Sequence, residues 1–310
     1  MRSFRAALAA LSLLLVACGS GEDVTPDGAG RGPDRVSFPV SVEAANGRVT
    51  LSDRPERIVS LSPTSTEMLF AIGAGDQVAA VDDQSNYPPE APTTDLSGFE
   101  PNVEAIAGYD PDLVLVSNPG EVVKSLGKLE IPVIVHPAAA TFRDVYAQIE
   151  QLGAVTGHVA NAVEVVAQMQ DEVDQIVESV PDVDRAPTYY HELDPNYFTA
   201  TSDTFIGHVY GLLGLRNIAD RAKGAASGYP QLSAEYIIQA DPDLIFLADT
   251  NCCDVDARAL ERRPGWEQIS AVKNNNVVEL DDDIASRWGP RVIDLLRTVA
   301  DAVTGARART

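Results

Sequence analysis

Cysteine and histidine are scarce in this chain of 310 residues, which has three Cys and four His. So few cysteines exclude a disulfide framework, and none of them forms the Cys-x-x-Cys pairs of zinc sites. The chain also lacks a phosphate-cradling G-x-x-x-x-G-K loop, the G-x-S-x-G turn of serine hydrolases and the H-E-x-x-H motif of zinc proteases. We therefore expect no enzyme, and no bound metal or cofactor.

Positive charge is scarce as well, since 23 Lys and Arg residues stand against 46 Asp and Glu. Nucleic acids and anionic membrane surfaces repel so acidic a chain, so neither is expected as a direct partner. The same charge favours solubility outside the cell.

Long apolar runs occur only at the N-terminus, in MRSFRAALAALSLLLVACGS. Two Arg, an apolar stretch from Ala6 to Ala17 and a small-residue break are typical of an export signal, too short to span a bilayer. The break, Leu-Val-Ala-Cys-Gly, resembles the bacterial lipobox. The resemblance implies removal of residues 1–17, acylation of Cys18 and anchoring on the outer face of the cytoplasmic membrane. The alternative is a plain signal peptide with an incidental Cys.

The rest of the chain divides by composition. Residues 18–45 begin with a stretch rich in Gly, Pro and Asp, which predicts a flexible tether. Beyond it we expect an N-terminal α/β lobe at 46–140, a connecting helix at 141–183 and a C-terminal α/β lobe at 184–310.

One phrase occurs twice in the chain. Residues 104–116 read EAIAGYDPDLVLV and residues 235–247 read EYIIQADPDLIFL, with six of thirteen positions identical. Each reads as a short helix ended by Asp-Pro and followed by a buried strand. Because apolar strands alternate with helices throughout, we predict an α/β fold of two related lobes.

Two segments carry helix signals. In SPTSTE, Glu67 follows Thr64 by three residues, as in a capping box. Residues 141–180 carry an apolar residue at every third or fourth position, which predicts one helix of roughly 60 Å, with a capping signal at Thr141 and Asp144 and a kink at Gly157.

These segments resemble those of the solute-binding proteins of ABC importers for cobalamin, ferric siderophores or heme (class III periplasmic binding proteins), and most closely the cobalamin-binding members. The resemblance covers about residues 46–305. It implies two Rossmann-like α/β lobes joined by a single long α-helix, a ligand cleft between them, and a monomer that delivers its ligand to a permease dimer. The segments that carry it are SPTSTE, NYPPE, NVEAIAGYDPDLVLVS, QLSAEYIIQADPDLIFLA and RPGWEQISAVKNNNVVEL.

In this family one Glu on each lobe contacts an Arg pocket of the permease, and the matching positions are Glu104 and Glu235. A twofold-symmetric permease needs the same contact twice, and the repeated phrase supplies it. The alternative is that both Glu favour a helix N-terminus through its dipole.

The candidate ligand contacts are aromatic and polar residues in loops near strand ends, where open α/β sheets bind ligands. Arg287 follows Asp283 at the D-x-x-x-R spacing of cobalamin-binding members, with Trp288 beside it. For Arg287 a surface salt bridge is the alternative, and His191 is a candidate axial ligand to cobalt or heme iron. The full set is Tyr87, Phe99, Tyr190, His191, Tyr197, Phe198, Tyr229, Asp283, Arg287 and Trp288.

Cys252 and Cys253 are adjacent, so they are candidates for a vicinal disulfide in a stiff loop or, alternatively, for ligation of a soft metal. The function expected from all these features is capture of a corrinoid or an iron chelate. A ferric-siderophore or heme receptor of the same fold is the alternative, and a zinc or manganese receptor is the weaker one.

Overall fold

The N-terminal lobe is built on a parallel sheet of four short strands that are apolar except for Ser60. A computed structural model describes residues 36–181 and 185–309 of the chain. The elements of the lobe are β3 (Ile58–Leu61), α1 (Pro63–Ala71), β4 (Val78–Val81), α2 (Val103–Ala107), β5 (Leu113–Val116), α3 (Glu121–Lys128), β6 (Val133–Val135) and α4 (Phe142–Thr156). The strand order of the sheet is β4-β3-β5-β6, with β3 and β5 at its centre.

The C-terminal lobe repeats this plan with a second parallel sheet, in the order β10-β9-β7-β8. The α/β fold with two parallel sheets is therefore confirmed. The chain enters the lobe through α5 (Val159–Ser179) and continues with β7 (Thr188–Glu192), α6 (Phe205–Leu212), β8 (Arg216–Asn217), α7 (Ala234–Ala240), β9 (Leu244–Leu247), α8 (Thr250–Cys253), α9 (Ala257–Glu261), α10 (Ser270–Lys273), β10 (Val277–Glu279), α11 (Asp282–Ser286) and α12 (Val292–Arg309).

The repeated phrase has the same local structure in both lobes. Asp110 and Asp241 take left-handed backbone angles, with φ of 47° and 45°, directly before the proline. Asp241 is the C-cap of α7, whereas Asp110 lies two residues beyond Gly108, the C-cap of α2. Two residues later, Asp112 and Asp243 each accept a backbone N–H at 2.8 Å from the chain entering the central strand, β3 or β7. The second Asp therefore ties its own strand to the central one.

Residues 141–180 form two helices, where the sequence predicted one helix with a kink at Gly157. Gly157 adopts a left-handed conformation, with φ of 79°, and ends α4, and α5 begins two residues later. The apolar period continues through the break because both helices bury one face, which a stripe in the sequence does not distinguish from a single helix. The capping signal is confirmed, since Asp144 accepts the backbone N–H of Thr141 at 2.8 Å.

The tether predicted for residues 18–45 ends too late. Residues Val40–Ala44 form β1, which pairs antiparallel with β2 (Gly47–Leu51), and Gln151 of α4 donates to the carbonyl of Glu43 at 2.7 Å. The predicted signal peptide, Cys18 and most of the tether lie outside the described residues. Among the described helices, none has the length and apolarity that crossing a membrane requires.

A single apolar cluster extends through both lobes. It runs from Met68 of α1 through Val166 of α5 to Leu296 of α12, and all three side chains are buried. The described residues accordingly form one compact unit. Helix α5 and the core around it therefore couple the two sheets, and relative movement of the lobes would disturb close packing.

Gly157→Ala tests the reason for the break between α4 and α5. A side chain in the left-handed region costs about 1–2 kcal/mol, and the new Cβ would lie 3.3 Å from the guanidinium of Arg54. We expect urea unfolding to show a loss of that size. The matched control is Gly127→Ala in α3, where no atom lies within 4 Å of the new Cβ. It should stabilise the protein by roughly 0.5–1 kcal/mol, and equal effects of the two changes would contradict this account.

Candidate ligand cleft

A cavity of about 380 Å³ opens where the strands of the N-terminal sheet end. Its walls come from residues directly after β3, β4 and β5, and from α11 and the segment after it in the C-terminal lobe. The carboxyl ends of parallel strands are the usual binding edge of open α/β sheets. The lining residues include Ser62, Thr64, Asp82, Gln84, Gly98, Phe99, Asn118, Asp283, Arg287 and Trp288.

Asp82 forms a buried acidic wall of this cavity. Burial raises the pKa of its carboxyl, while a hydrogen bond from the hydroxyl of Ser85 acts in the opposite direction. Gly98 passes so close that a Cβ there would lie 2.6 Å from Asp82 Oδ2 and 3.0 Å from the carbonyl oxygen of Leu61. Only glycine fits at position 98 while Asp82 keeps its place.

Two aromatic side chains differ sharply in how firmly they are held. Phe99 is 87% exposed and stands beside the cavity without cover. Trp288 is half-buried, and its indole N–H donates to Gln148 Oε1 of α4 at 2.9 Å. A contact therefore crosses from the C-terminal lobe to the N-terminal lobe at Trp288.

Arg287 is buried, and the protein itself occupies its terminal nitrogens. Nη1 donates to Glu67 at 3.0 Å and to Asn86 at 2.9 Å, while Nη2 donates to the carbonyl of Gln84 at 2.9 Å and to Asp283 at 2.6 Å. These four bonds use all four terminal N–H groups. Each terminal donor of Arg287 therefore already has an acceptor, and its contact with a ligand stays a prediction.

Glu67 is the centre of this network. It does not act as a capping residue: the cap of α1 is Ser62, and the side chain of Glu67 is 2% exposed between two arginines. Arg291 donates to it through Nη2 at 2.6 Å and through Nε at 3.1 Å. Burial alone would lower the pKa of Arg291, but the hydrogen bonds and charge of Glu67 raise it.

Tyr87 lies apart from Phe99 and Trp288. The guanidinium of Arg291 stacks over the Tyr87 ring, with its carbon 4.0 Å from the ring centroid. The ring lines a different cavity, of about 580 Å³, between α1, α5 and α12. The structure therefore does not place Tyr87 with the other predicted ligand residues.

The aromatic residues of the C-terminal lobe fall into two sets. Tyr197, Phe198 and Tyr229 lie in two loops that are hydrogen-bonded to each other beyond the carboxyl end of β7, and Phe198 and Tyr229 are 39% and 48% exposed. They are accessible to a ligand, although they do not line the 380 Å³ cavity.

Tyr190 and His191 belong to the core, and their prediction as ligand contacts is wrong. Both are interior residues of β7 and are fully buried. His191 shares a hydrogen bond of 2.9 Å with the hydroxyl of Tyr210, and burial lowers its pKa to about 4.

A second charged cluster is buried at the end of β7. Glu192 receives two hydrogen bonds from Arg263, of 2.6 and 2.7 Å, and this guanidinium lies 4.6 Å from the ring of Trp266 and 5.2 Å from that of Tyr197. As a carboxylate, Asp249 has no donor for either oxygen among the described residues. Burial, then the charge of Glu192 and a hydrogen bond to it, raises the pKa of Asp249 to about 7.

Glu104 and Glu235 occupy equivalent, exposed positions. Each is the second residue of its short helix, α2 or α7, behind the caps Asn102 and Ser233. For Glu235, backbone and Ser233 hydrogen bonds lower the pKa of the carboxyl, which keeps it ionised. Because each helix runs back antiparallel to its sheet, both carboxylates lie toward the edge where the parallel strands end.

Cys252 and Cys253 are joined by a disulfide on the exposed helix α8. Asp282 accepts the backbone N–H groups at the start of this helix, at 2.9 Å from Thr250 and 2.8 Å from Cys252. Asp282 neighbours Asp283 of the Arg287 network, so α8 is linked to the boundary between the lobes.

Sequence reasoning missed several residues of the site. Asp82 and Asn118 follow directly after strands and could have been found by the rule that places ligands at strand ends. Glu67 and Asn86 had no such signal. Their partners lie about 200 positions away, and nothing in the local pattern indicates a contact at that separation.

The chain is similar to known proteins along most of its length. The model of the periplasmic binding protein family matches residues 58–284. An ABC transporter substrate-binding lipoprotein of Bacillus subtilis is 32% identical over 96% of this chain and 95% of its own. A cobalamin-binding protein of Halobacterium salinarum is 35% identical over 86% of this chain and 74% of its own. The crystal structure of a possible iron-binding protein from Staphylococcus epidermidis is 28% identical, covers 81% of this chain and 99% of its own, and has a TM-score of 0.70.

Asp249→Asn tests the buried acid pair. The pKa of Asp249 is about 7 in the folded protein against 3.8 for the free side chain, so its contribution to stability is complete below pH 4 and is lost as the pH rises to 7. Melting curves from pH 4 to 8 should show the stability of Asp249→Asn rising relative to that of the wild type as the pH rises. At pH 8 the free energy of unfolding of the variant should be higher by about 1–3 kcal/mol.

The control is Asp254→Asn on the exposed side of α8, which should run parallel to the wild type. A constant difference between Asp249→Asn and the wild type across this range would contradict the assignment.

Proposed function

Because the chain belongs to the periplasmic binding protein family, we propose that it is the lipid-anchored, extracytoplasmic receptor of an ABC importer and that it captures a corrinoid such as cobalamin. A receptor of this kind binds its ligand without changing it, so no catalytic residue is required. The observation that carries the choice of ligand is the chemistry of the cavity beside Phe99 and Trp288.

The cavity pairs flat faces with acceptors and small polar groups. Phe99 and Trp288 offer surface to a macrocycle, while Asp82, Asp283 and Asn118 offer carboxyl and amide groups. A corrinoid carries amide side chains around a flat ring, and amide N–H groups donate well to carboxyl oxygens. The cationic side chain of the lining, Arg287, is already neutralised by Glu67 and Asp283.

The size of the cavity limits what it can hold. Pockets of 300–1,000 Å³ bury drug-sized molecules, and a corrinoid is larger than these. We infer that the 380 Å³ cavity receives one edge of the ring. The rest of the ligand would then extend toward the exposed aromatics Phe198 and Tyr229 of the C-terminal lobe.

A ferric siderophore is the second candidate, and the structural similarity to a possible iron-binding protein favours it. Heme and many ferric chelates carry negative charge. The carboxylates of Asp82 and Asp283 would repel such a ligand in this cavity. Arg287 could pair with it only by breaking its hydrogen bonds to Glu67 and Asp283. The corrinoid is therefore the better match.

Delivery is proposed to use Glu104 and Glu235. Their exposure, their equivalent places on α2 and α7 and the symmetry of the repeated phrase suit a permease that presents two equivalent basic pockets. The lipobox-like segment around Cys18, together with the similarity to a lipoprotein of Bacillus subtilis, supports a membrane anchor that keeps the receptor near its permease.

Thermal unfolding with a ligand panel tests the proposed substrate. Cyanocobalamin at 100 times its dissociation constant should stabilise the protein by about 2.7 kcal/mol, whereas heme, a ferric hydroxamate and zinc should not. Phe99→Ala should weaken cyanocobalamin binding by on the order of 1–3 kcal/mol, which is about fivefold to more than a hundredfold, with little change in the ligand-free melting temperature. Leu129→Ala, at an exposed apolar residue outside the cavity, is the control. Stabilisation by heme or the hydroxamate alone would replace the corrinoid with that ligand.

Charge reversal tests the docking role. Glu104→Lys and Glu235→Lys should bind cyanocobalamin as the wild type does, because neither residue lines the cavity, yet uptake by cells that depend on this receptor should fall at least tenfold. Glu121→Lys is matched to them, since Glu121 is also an exposed acid in the first turn of a short helix. Normal uptake by both lobe variants would refute the docking role.

A further inference from the structure

A buried ionic network joins the two lobes beside the cavity. The N-terminal lobe contributes Glu67 from α1 and the loop after β4. The C-terminal lobe contributes Asp283 from α11, and Arg287 and Arg291 from the segment between α11 and α12. Asn86 bonds to both charged partners, because its carbonyl accepts from Arg287 at 2.9 Å and its amide donates to Asp283 at 2.7 Å.

The network is balanced in charge and closely fitted. Two carboxylates meet two guanidiniums, and Arg287 and Glu67 are 8% and 2% exposed in their side chains. A buried ion that loses its partner is far more costly than an exposed one. Gly289 approaches so closely that a Cβ there would lie 2.9 Å from Glu67 Oε2. Moving the lobes apart would therefore expose these charges to water or leave them buried without their partners.

The position of Trp288 depends on this network. Both neighbours of Trp288 in the chain contact Glu67: Gly289 packs against it and Arg287 donates a hydrogen bond to it. The indole N–H of Trp288 itself donates to Gln148 of the N-terminal lobe. The wall of the cavity from the C-terminal lobe is thus held on the N-terminal lobe by contacts that need no ligand.

We propose that Glu67 is a positioning residue that holds the lobes at one separation before ligand arrives and keeps Trp288 in place for binding. The role in ligand binding rests on the function proposed above, whereas the role in lobe separation does not. A purely stabilising ion pair would change the melting temperature and leave the lobe distance and the binding rates as they are. The experiment must therefore measure distance and rates.

Spin labels at Lys128→Cys in the N-terminal lobe and Lys273→Cys in the C-terminal lobe, both exposed, report the separation by pulsed electron paramagnetic resonance. The labelled chain also carries Cys18→Ser and is kept free of reductant. The ligand-free wild type should give one narrow distance. Glu67→Gln, which removes the charge and keeps the shape, should broaden it toward longer distances, and cyanocobalamin should narrow it again.

The binding kinetics provide the second readout. Glu67→Gln should release cyanocobalamin at least tenfold faster than the wild type does. Glu172→Gln is the matched control, since it also removes a carboxylate that bonds to an arginine of α12, Arg297 at 2.7 Å, but on an exposed face. It should match the wild type in both distance and rate.

Folded Glu67→Gln with the distance and release rate of the wild type would overturn the proposal. If Glu67→Gln does not fold, Asn86→Ala decides, because it removes two bonds of the network without leaving a buried charge. A broadened distance in Asn86→Ala supports the positioning role, and an unchanged one overturns it. If the wild type fails to bind cyanocobalamin, the ligand-free distances still test Glu67, and the proposed ligand alone is lost.

Discussion

The buried carboxylate of Glu67 depends on two arginines from the other lobe, and much of the arrangement around the cavity follows from that requirement. A charge with 2% exposure is tolerated only where hydrogen bonds and opposite charge replace water, and Arg287 and Arg291 supply both. Their bonds bring the loop after β4 and the segment around α11 together, and so place Trp288 and Asp283 against the end of the N-terminal sheet. The cavity is thus a consequence of how the charges are satisfied.

The repeated phrase works at two levels that the sequence alone does not separate. Its Asp-Pro-Asp part is structural, because Asp112 and Asp243 tie neighbouring strands and Asp110 and Asp241 take left-handed backbone angles between helix and strand. Its glutamates make no such tie and are exposed. A duplication can keep the Asp-Pro-Asp turn for folding alone, so the turn carries no functional information. The glutamates are the part for which folding offers only a helix-dipole explanation.

Strands and short helices could be predicted because each has a local cause. Continuous apolar runs such as LVLV and LIFL indicate strands covered on both faces, and the structure has them as β5 and β9. Gly157 indicated the position of the break, but periodicity reports burial and does not distinguish a kinked helix from two helices. Tyr190 and His191 were misassigned because adjacent residues of a strand point to opposite faces, and here helices cover both faces. Arg287 was found by its spacing, but its role depends on partners about 200 residues away.

Lobe separation and docking are linked in the proposed function. Glu104 lies on the N-terminal lobe and Glu235 on the C-terminal lobe, so the distance between them is set by whatever fixes the lobes. A permease with two fixed pockets gains from the second contact only when both carboxylates have the right spacing, because a rigid span gives a high effective concentration for the second contact. If the lobes moved freely, the first contact would form and the second would have to wait for a rare arrangement. Glu67 would then act on delivery as well as on capture, although it touches neither the permease nor the ligand.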